Sequence, residues 1–177
     1  MKTVYFGRHG QAIANQQGLL AGSQTDSPLT RQGESEAAEL ARSFGKLQID
    51  LIVSSPLERA FKTAEIVAEQ IGYKKDILVE PLFIERDFGS ATNRPRAEAF
   101  TMLDNGLAEG AESVSEFGSR ADKALEWLNK RPEKTILVVS HAGFGQILGT
   151  RARGGRAQDF LQFDSLSNAS FFKFRLE

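Results

Sequence analysis

Two short stretches, Thr3–Gly7 and Thr135–Val139, are almost continuously apolar and rich in β-branched or aromatic residues. That is the pattern of a strand buried on both faces, which a chain can satisfy only by covering a sheet on each side. Asp50–Val53 and Ile77–Leu82 predict two further strands, and Ala169–Leu176 alternates as a closing one. The stretches between them read as helices. Leu29–Phe44 consists of good helix formers, and Ser55-Pro56-Leu57-Glu58 offers a capping serine, a proline at the first helical position and a glutamate at the third, opening a helix that runs to Ile71. Ser113-Val114-Ser115-Glu116 opens another through Leu128, and Gly143–Thr150 is a fourth. Ala12–Pro28, rich in Gln, Gly, Ser, Thr and Asn, reads as a loop. Strands alternating with helices predict an α/β fold layered around a mostly parallel central sheet.

With 177 residues, 41% of them hydrophobic, the chain can bury one sizeable core, so a single domain over 1–177 is expected. Its 22 basic and 23 acidic residues are spread along the sequence and sum to −1, which argues against nucleic acid or a membrane surface as partner. Any anion must then be held by local groups. No cysteine is present, which removes thiolate nucleophiles, thiolate metal sites and disulfides together. The N-terminus is too short in apolar residues for a secretion signal, and nothing approaches the roughly 18 apolar residues of a membrane span, so a cytoplasmic location is expected.

The sequence holds only two histidines, His9 and His141, and each directly follows a predicted buried strand. Both should therefore emerge at the carboxyl edge of the sheet, where α/β folds bind ligands. One such histidine could be structural; two at equivalent strand ends point to chemistry. Arg8 adjoins the first, and Arg59 lies one turn into the helix that Ser55 and Pro56 begin. Two guanidiniums and the free amides of that helix N-terminus can converge on one tetrahedral anion. Taken alone, Arg59 reads more simply as a solvated helix-face charge and Glu85 as an ion pair with Arg86, and Gly10 could be a turn glycine.

Arg8-His9-Gly10, Ser54-Ser55-Pro56 followed by Arg59, Glu85 before Phe88-Gly89, Gly110-Ala111-Glu112-Ser113, and Ser140-His141-Ala142-Gly143 occur in an order that resembles the histidine phosphatase superfamily, with its phosphoglycerate mutase-like fold. The resemblance runs from residue 4 to about residue 172. It implies a three-layer α/β/α sandwich and a phosphoric monoester hydrolase of the histidine acid phosphatase type, acting on a small phosphorylated metabolite without cofactor or metal. It also implies roles: His9 takes the phosphoryl group, Arg8, Arg59 and His141 bind it, and Glu85 protonates the leaving oxygen. Asn15 matches the family's asparagine six residues after the nucleophile, while Ala21-Gly22 and the backbone at Ala142-Gly143 fall where members line the substrate pocket, and Gly10 can leave room for phosphate.

The chemistry accounts for these residue types. A neutral imidazole can attack phosphorus, and fixed cations around it disfavour its protonation while stabilising charge on the equatorial oxygens. Covalent capture divides hydrolysis into two steps. Phosphoglycerate mutases carry Glu-Arg-His-Tyr-Gly and a long basic insertion, whereas this chain reads Glu85-Arg86-Asp87-Phe88-Gly89 and is short, which favours phosphatase over mutase. A member that only binds a phosphorylated ligand is a further alternative, and every catalytic position is retained against it. Phosphatases of the family commonly continue Trp-Glu-Gly where this chain has Ser90-Ala91-Thr92-Asn93-Arg94-Pro95, and the segment from Ser90 to Gly110 is expected to cover the site. Gly143-Phe144-Gly145 lacks the third glycine of a dinucleotide loop, since Leu148 stands there. Arg151–Arg156 reads as a solvated basic loop.

Overall fold

A computed structural model describes the chain from Met1 to Glu177. Its strands are β1 (Lys2–Arg8), β2 (Leu51–Ser54), β3 (Leu78–Val79), β4 (Thr135–Ser140) and β5 (Phe171–Leu176), in the spatial order β3-β2-β4-β1-β5. The first four run parallel and β5 lies antiparallel against β1. Helices α1 (Ile13–Gln16), α2 (Arg31–Phe44), α3 (Glu58–Gln70), α4 (Arg96–Asp104), α5 (Val114–Lys130) and α6 (Ala142–Ala152) connect them.

Alternate residues of the strands feed two separate cores, because successive side chains leave a strand on opposite faces. Val4, Phe6, Val53, Ile136 and Val138 pack with Phe117 of α5 and with Phe144 and Leu148 of α6. Ile52, Leu137 and Val139 pack with Leu40 and Phe44 of α2 and with Ala64 and Val67 of α3. Helices therefore cover both faces, and the continuous apolar runs of β1 and β4 find a partner layer on each side. The three-layer α/β/α arrangement with a mostly parallel sheet follows.

Three expectations are corrected. The strand expected over Ile77–Leu82 pairs only through Leu78 and Val79, because Pro81, which has no N–H for a ladder, starts a 3-10 turn over Pro81–Phe83. The polar stretch expected as loop contains the single turn α1. The helix expected from Ser55 starts at Glu58, whose N–H donates to both carboxylate oxygens of Asp26, at 2.8 and 3.0 Å. Asp26 thus does the capping that Ser55 was expected to do. At α5 the expected reciprocal cap forms, with Glu116 N donating to Ser113 Oγ and Ser113 N to Glu116 Oε2.

One backbone contact fixes where β1 delivers its last residues. Gly10 lies against Gly33 in the first turn of α2, and a Cβ on either would overlap the facing backbone. Thr30, which caps α2 by accepting from Gly33 N at 3.0 Å, also donates its own N–H to Gln11 O at 2.9 Å. Gly33→Ala should force the two segments apart and lower stability by about 1–3 kcal/mol, the usual cost of overpacking. A fall in the denaturant midpoint with an unchanged m-value would measure it.

Candidate active site

In the β1–β4 ladder Arg8 lies opposite Ser140, and His9 N donates to Ser140 O at 3.0 Å. The next residue on each strand is a histidine, so both imidazoles leave the sheet at the same edge, with ring centroids 5.2 Å apart. His9 Nδ1 lies 2.6 Å from the Gly10 carbonyl. A carbonyl can only accept, so Nδ1 carries the hydrogen and a neutral His9 keeps its lone pair on Nε2. Burial, then the charges of Arg59 and Arg8, holds the His9 pKa well below its usual value, against the smaller opposing pull of the Gly10 carbonyl. Burial, Arg59, His9 and Arg8 lower that of His141 in the same way.

His141 is fully buried, and its Nε2 lies 2.7 Å from Ser55 Oγ while its Nδ1 has no partner in the protein. If Ser55 donates, the only unmatched group is an Nδ1–H. If Ser55 accepts, both Nδ1 and the serine hydrogen are left unmatched. The first assignment leaves fewer buried groups unsatisfied and is preferred. It gives His141 one N–H with no acceptor in the protein. Ser55, expected as a helix cap, is thereby a histidine-orienting group.

Arg8 and Arg59 are both buried and are held by backbone carbonyls instead of carboxylates. Arg8 Nη1 donates to Leu166 O at 2.7 Å, and its Nε has no partner. Arg59 donates to Thr25 O and Gly22 O, each at 2.8 Å. Their charges therefore stay uncancelled by direct ion pairs. Burial and the nearby Arg96 push the Arg8 pKa down to about 10, with Glu85 opposing. Glu85 makes no ion pair with Arg86. Its carboxylate accepts from Arg86 N at 2.8 Å and from Gly143 N and Phe144 N at 3.1 Å, which docks it on the first turn of α6.

A cavity of about 250 Å³ opens at this edge, and its wall includes Arg8, His9, Asn15, Ala21, Gly22, Arg59, Glu85 and Ala142. Gly10 does not reach that wall; it packs against Gly33 and donates its N–H to Thr63 Oγ1 at 3.1 Å. At the N-terminus of α3 the Glu58 amide is occupied by Asp26. Gly22, at φ +61°, sits 2.8 Å from the Phe88 ring when a Cβ is added, which leaves room there only for glycine. The basic loop is spoken for: Arg151 pairs with Asp122 and Arg156 with Asp159.

The segment from Ser90 to Gly110 does lie over the cavity, carrying Arg96, Phe100, Leu103 and Asp104 of α4 in its wall. It is tied down at both ends. Asn93 N donates to Leu20 O, Leu20 N to Arg94 O and Arg96 N to Gly18 O, while Ser90 N donates to Glu109 O and Glu112 N to Asp87 O. Arg96 and Ser55 are site residues that sequence patterning missed: the first sits in an unpatterned helix, the second carries a capping signature that the fold does not use.

The histidine phosphatase superfamily (branch 1) model matches residues 4–177. The chain belongs to this superfamily. It is 34% identical over 170 residues to "Uncharacterized phosphatase PhoE" of Bacillus subtilis, covering 96% of this chain and 86% of that one. It is 34% identical over 154 residues to "Probable phosphoglycerate mutase GpmB" of Escherichia coli, covering 80% and 70%. A phosphoserine phosphatase from Entamoeba histolytica superposes with a TM-score of 0.84 at 23% identity, covering 100% and 92%, which establishes the shared fold. No group of three or more His, Asp or Glu side chains in this superfamily member stands close enough to hold a metal ion, and no helix is long and apolar enough to cross a membrane.

The two depressed histidines make folding pH-dependent. The unfolded chain binds protons that the folded site refuses, so their contribution to stability is complete above the ordinary histidine pKa, about 6.5, and declines as pH falls below it. Thermal melts from pH 8 to 5 should show Tm falling below pH 6.5, and His9→Asn should flatten that fall.

Proposed function

We propose that the chain is a metal-independent phosphatase for small phosphorylated metabolites, with residues 1–177 acting as one domain and His9 as nucleophile. The observation that carries this is the hydrogen bond from His9 Nδ1 to the Gly10 carbonyl. It leaves the Nε2 lone pair of a neutral imidazole available beside two uncancelled guanidiniums. The ester's phosphoryl oxygens lie between Arg8, Arg59 and the Nδ1–H of His141. The ester is bound with Glu85 in its protonated form; His9 Nε2 forms a bond to phosphorus as the bond from phosphorus to the alcohol oxygen breaks, and Glu85 gives that oxygen its proton and becomes a carboxylate. Water then attacks the phosphohistidine and passes a proton to the Glu85 carboxylate. Inorganic phosphate leaves, and His9 and Glu85 return to their starting forms. Fixed cations meet the charge that develops on the equatorial oxygens, the work a metal ion does elsewhere.

The similarity to GpmB favours a second reading, in which the phosphoryl group passes to another hydroxyl instead of water. Interconversion of 2- and 3-phosphoglycerate is its assay.

Wild type should hydrolyse p-nitrophenyl phosphate in excess EDTA, and His9→Ala should lose that activity by several orders of magnitude with its fold intact. Full activity in His9→Ala would refute the mechanism. Ser55→Ala should lower kcat roughly tenfold, the worth of one hydrogen bond of about 1.4 kcal/mol, because His141 no longer has its tautomer set. Because His9 must be neutral to attack, the acid limb of kcat/KM should lie below pH 6.5, and Arg59→Leu should move it upward by removing the larger of the two cationic charges that lower the His9 pKa.

A further inference from the structure

Groups suited to phosphate make up only part of the cavity wall. Much of the remainder is carbon, contributed by Leu20, Phe88, Phe100, Leu103, Phe117 and Leu161. Two of these are placed where folding does not need them. Phe100 is 44% exposed and Leu161 is 66% exposed, and neither packs into any of the three buried clusters. Large apolar side chains left open on the wall of a concave site mark a surface that a ligand covers.

The charges on the wall point the same way. Apart from Arg8 and Arg59 it carries Arg86 and Arg96. Arg86 is committed to the protein: its Nε donates to Glu112 O at 2.9 Å, and its guanidinium lies within 5.9 Å of the Phe88 and Phe117 ring centres. Arg96 is exposed, and on the same helix Asp104 brings a carboxylate to the wall. An acidic leaving group therefore gains one open cation and meets one anion, whereas a hydrocarbon gains most of the remaining surface. At about 250 Å³ the cavity falls just under the roughly 300–1,000 Å³ usual for small-molecule sites, so it suits a short chain or a single ring.

We infer that the preferred substrates are monoesters of uncharged, apolar alcohols, and that Phe100 and Leu161 select them. This rests on the phosphatase reading above. It sets phosphorylated acids such as phosphoserine and 3-phosphoglycerate below alkyl or aryl phosphates of similar size.

Straight-chain alkyl phosphates from ethyl to hexyl provide the test, since their leaving alcohols differ little in acidity and differ steadily in carbon. Expected is a rise in kcat/KM of about fourfold per methylene, equivalent to about 0.8 kcal/mol for each CH₂ buried. Hexyl phosphate should also exceed phosphoserine and 3-phosphoglycerate. In Phe100→Ala and Leu161→Ala, both at exposed positions and both checked by thermal melting, the gain per methylene should fall toward one. A flat series, or faster turnover of either phosphorylated acid, overturns the inference while His9-dependent hydrolysis leaves the phosphatase reading standing. Absence of turnover on every ester overturns both.

Discussion

Arg8 and Ser140 face each other in the parallel ladder between β1 and β4, and the residue after each is a histidine. That register is what the site depends on. A slip by one residue would carry the apolar side chains of one strand to the wrong core and separate the imidazoles. It is held because both strands are apolar on both faces, with Val4 and Phe6 on one side of the sheet and Leu137 and Val139 on the other. Hydrophobic burial thus sets the relative position of two polar groups that would not approach one another by themselves.

Bringing them together is unfavourable electrostatically. Two guanidiniums and two imidazoles share one buried edge; burial lowers the proton affinity of both histidines and both arginines, and neighbouring guanidinium charge adds to it at Arg8, His9 and His141. The arginines are anchored through neutral carbonyls of Leu166, Thr25 and Gly22, so they are immobilised without being neutralised. A site built this way is least comfortable empty and gains most from a dianion. The same crowding disfavours protonation of His9, so in the proposed mechanism one arrangement would serve both binding and nucleophilicity.

The cover over the cavity is a different kind of structure. Helix α4 buries only Ala99, yet backbone hydrogen bonds to the 18–20 segment at one end and to the 87–90 segment at the other keep it over the cavity. Its contribution is to place Arg96, Phe100, Leu103 and Asp104 in the cavity wall. Arg8, His9, Arg59 and His141 reach the cavity edge from strand ends and the first turn of α3, whereas Arg96, Phe100, Leu103 and Asp104 come from this cover.

Much of this was legible in the sequence. Continuous apolar runs imply strands covered on both faces, and a histidine after each of two such runs implies a shared edge, since a parallel sheet puts its strand ends together. The motifs around Arg8, His9, Arg59, Glu85 and His141 carried the family resemblance, which the superfamily match bears out. Other features were decided only in three dimensions. Ser55 has the local pattern of a helix cap, but Asp26, distant in sequence, reaches Glu58 N and frees the serine hydroxyl for His141. Glu85 and Arg86 are neighbours with opposite charges, yet the carboxylate turns to the amides of α6. Gly10 reads as a pocket or turn glycine and proves to be a point of contact with Gly33. In each case a local rule offers one partner and the packed chain supplies another with better geometry. Period and motif depend on neighbours along the chain, while the final partner of a buried polar atom depends on what folding brings within about 3 Å.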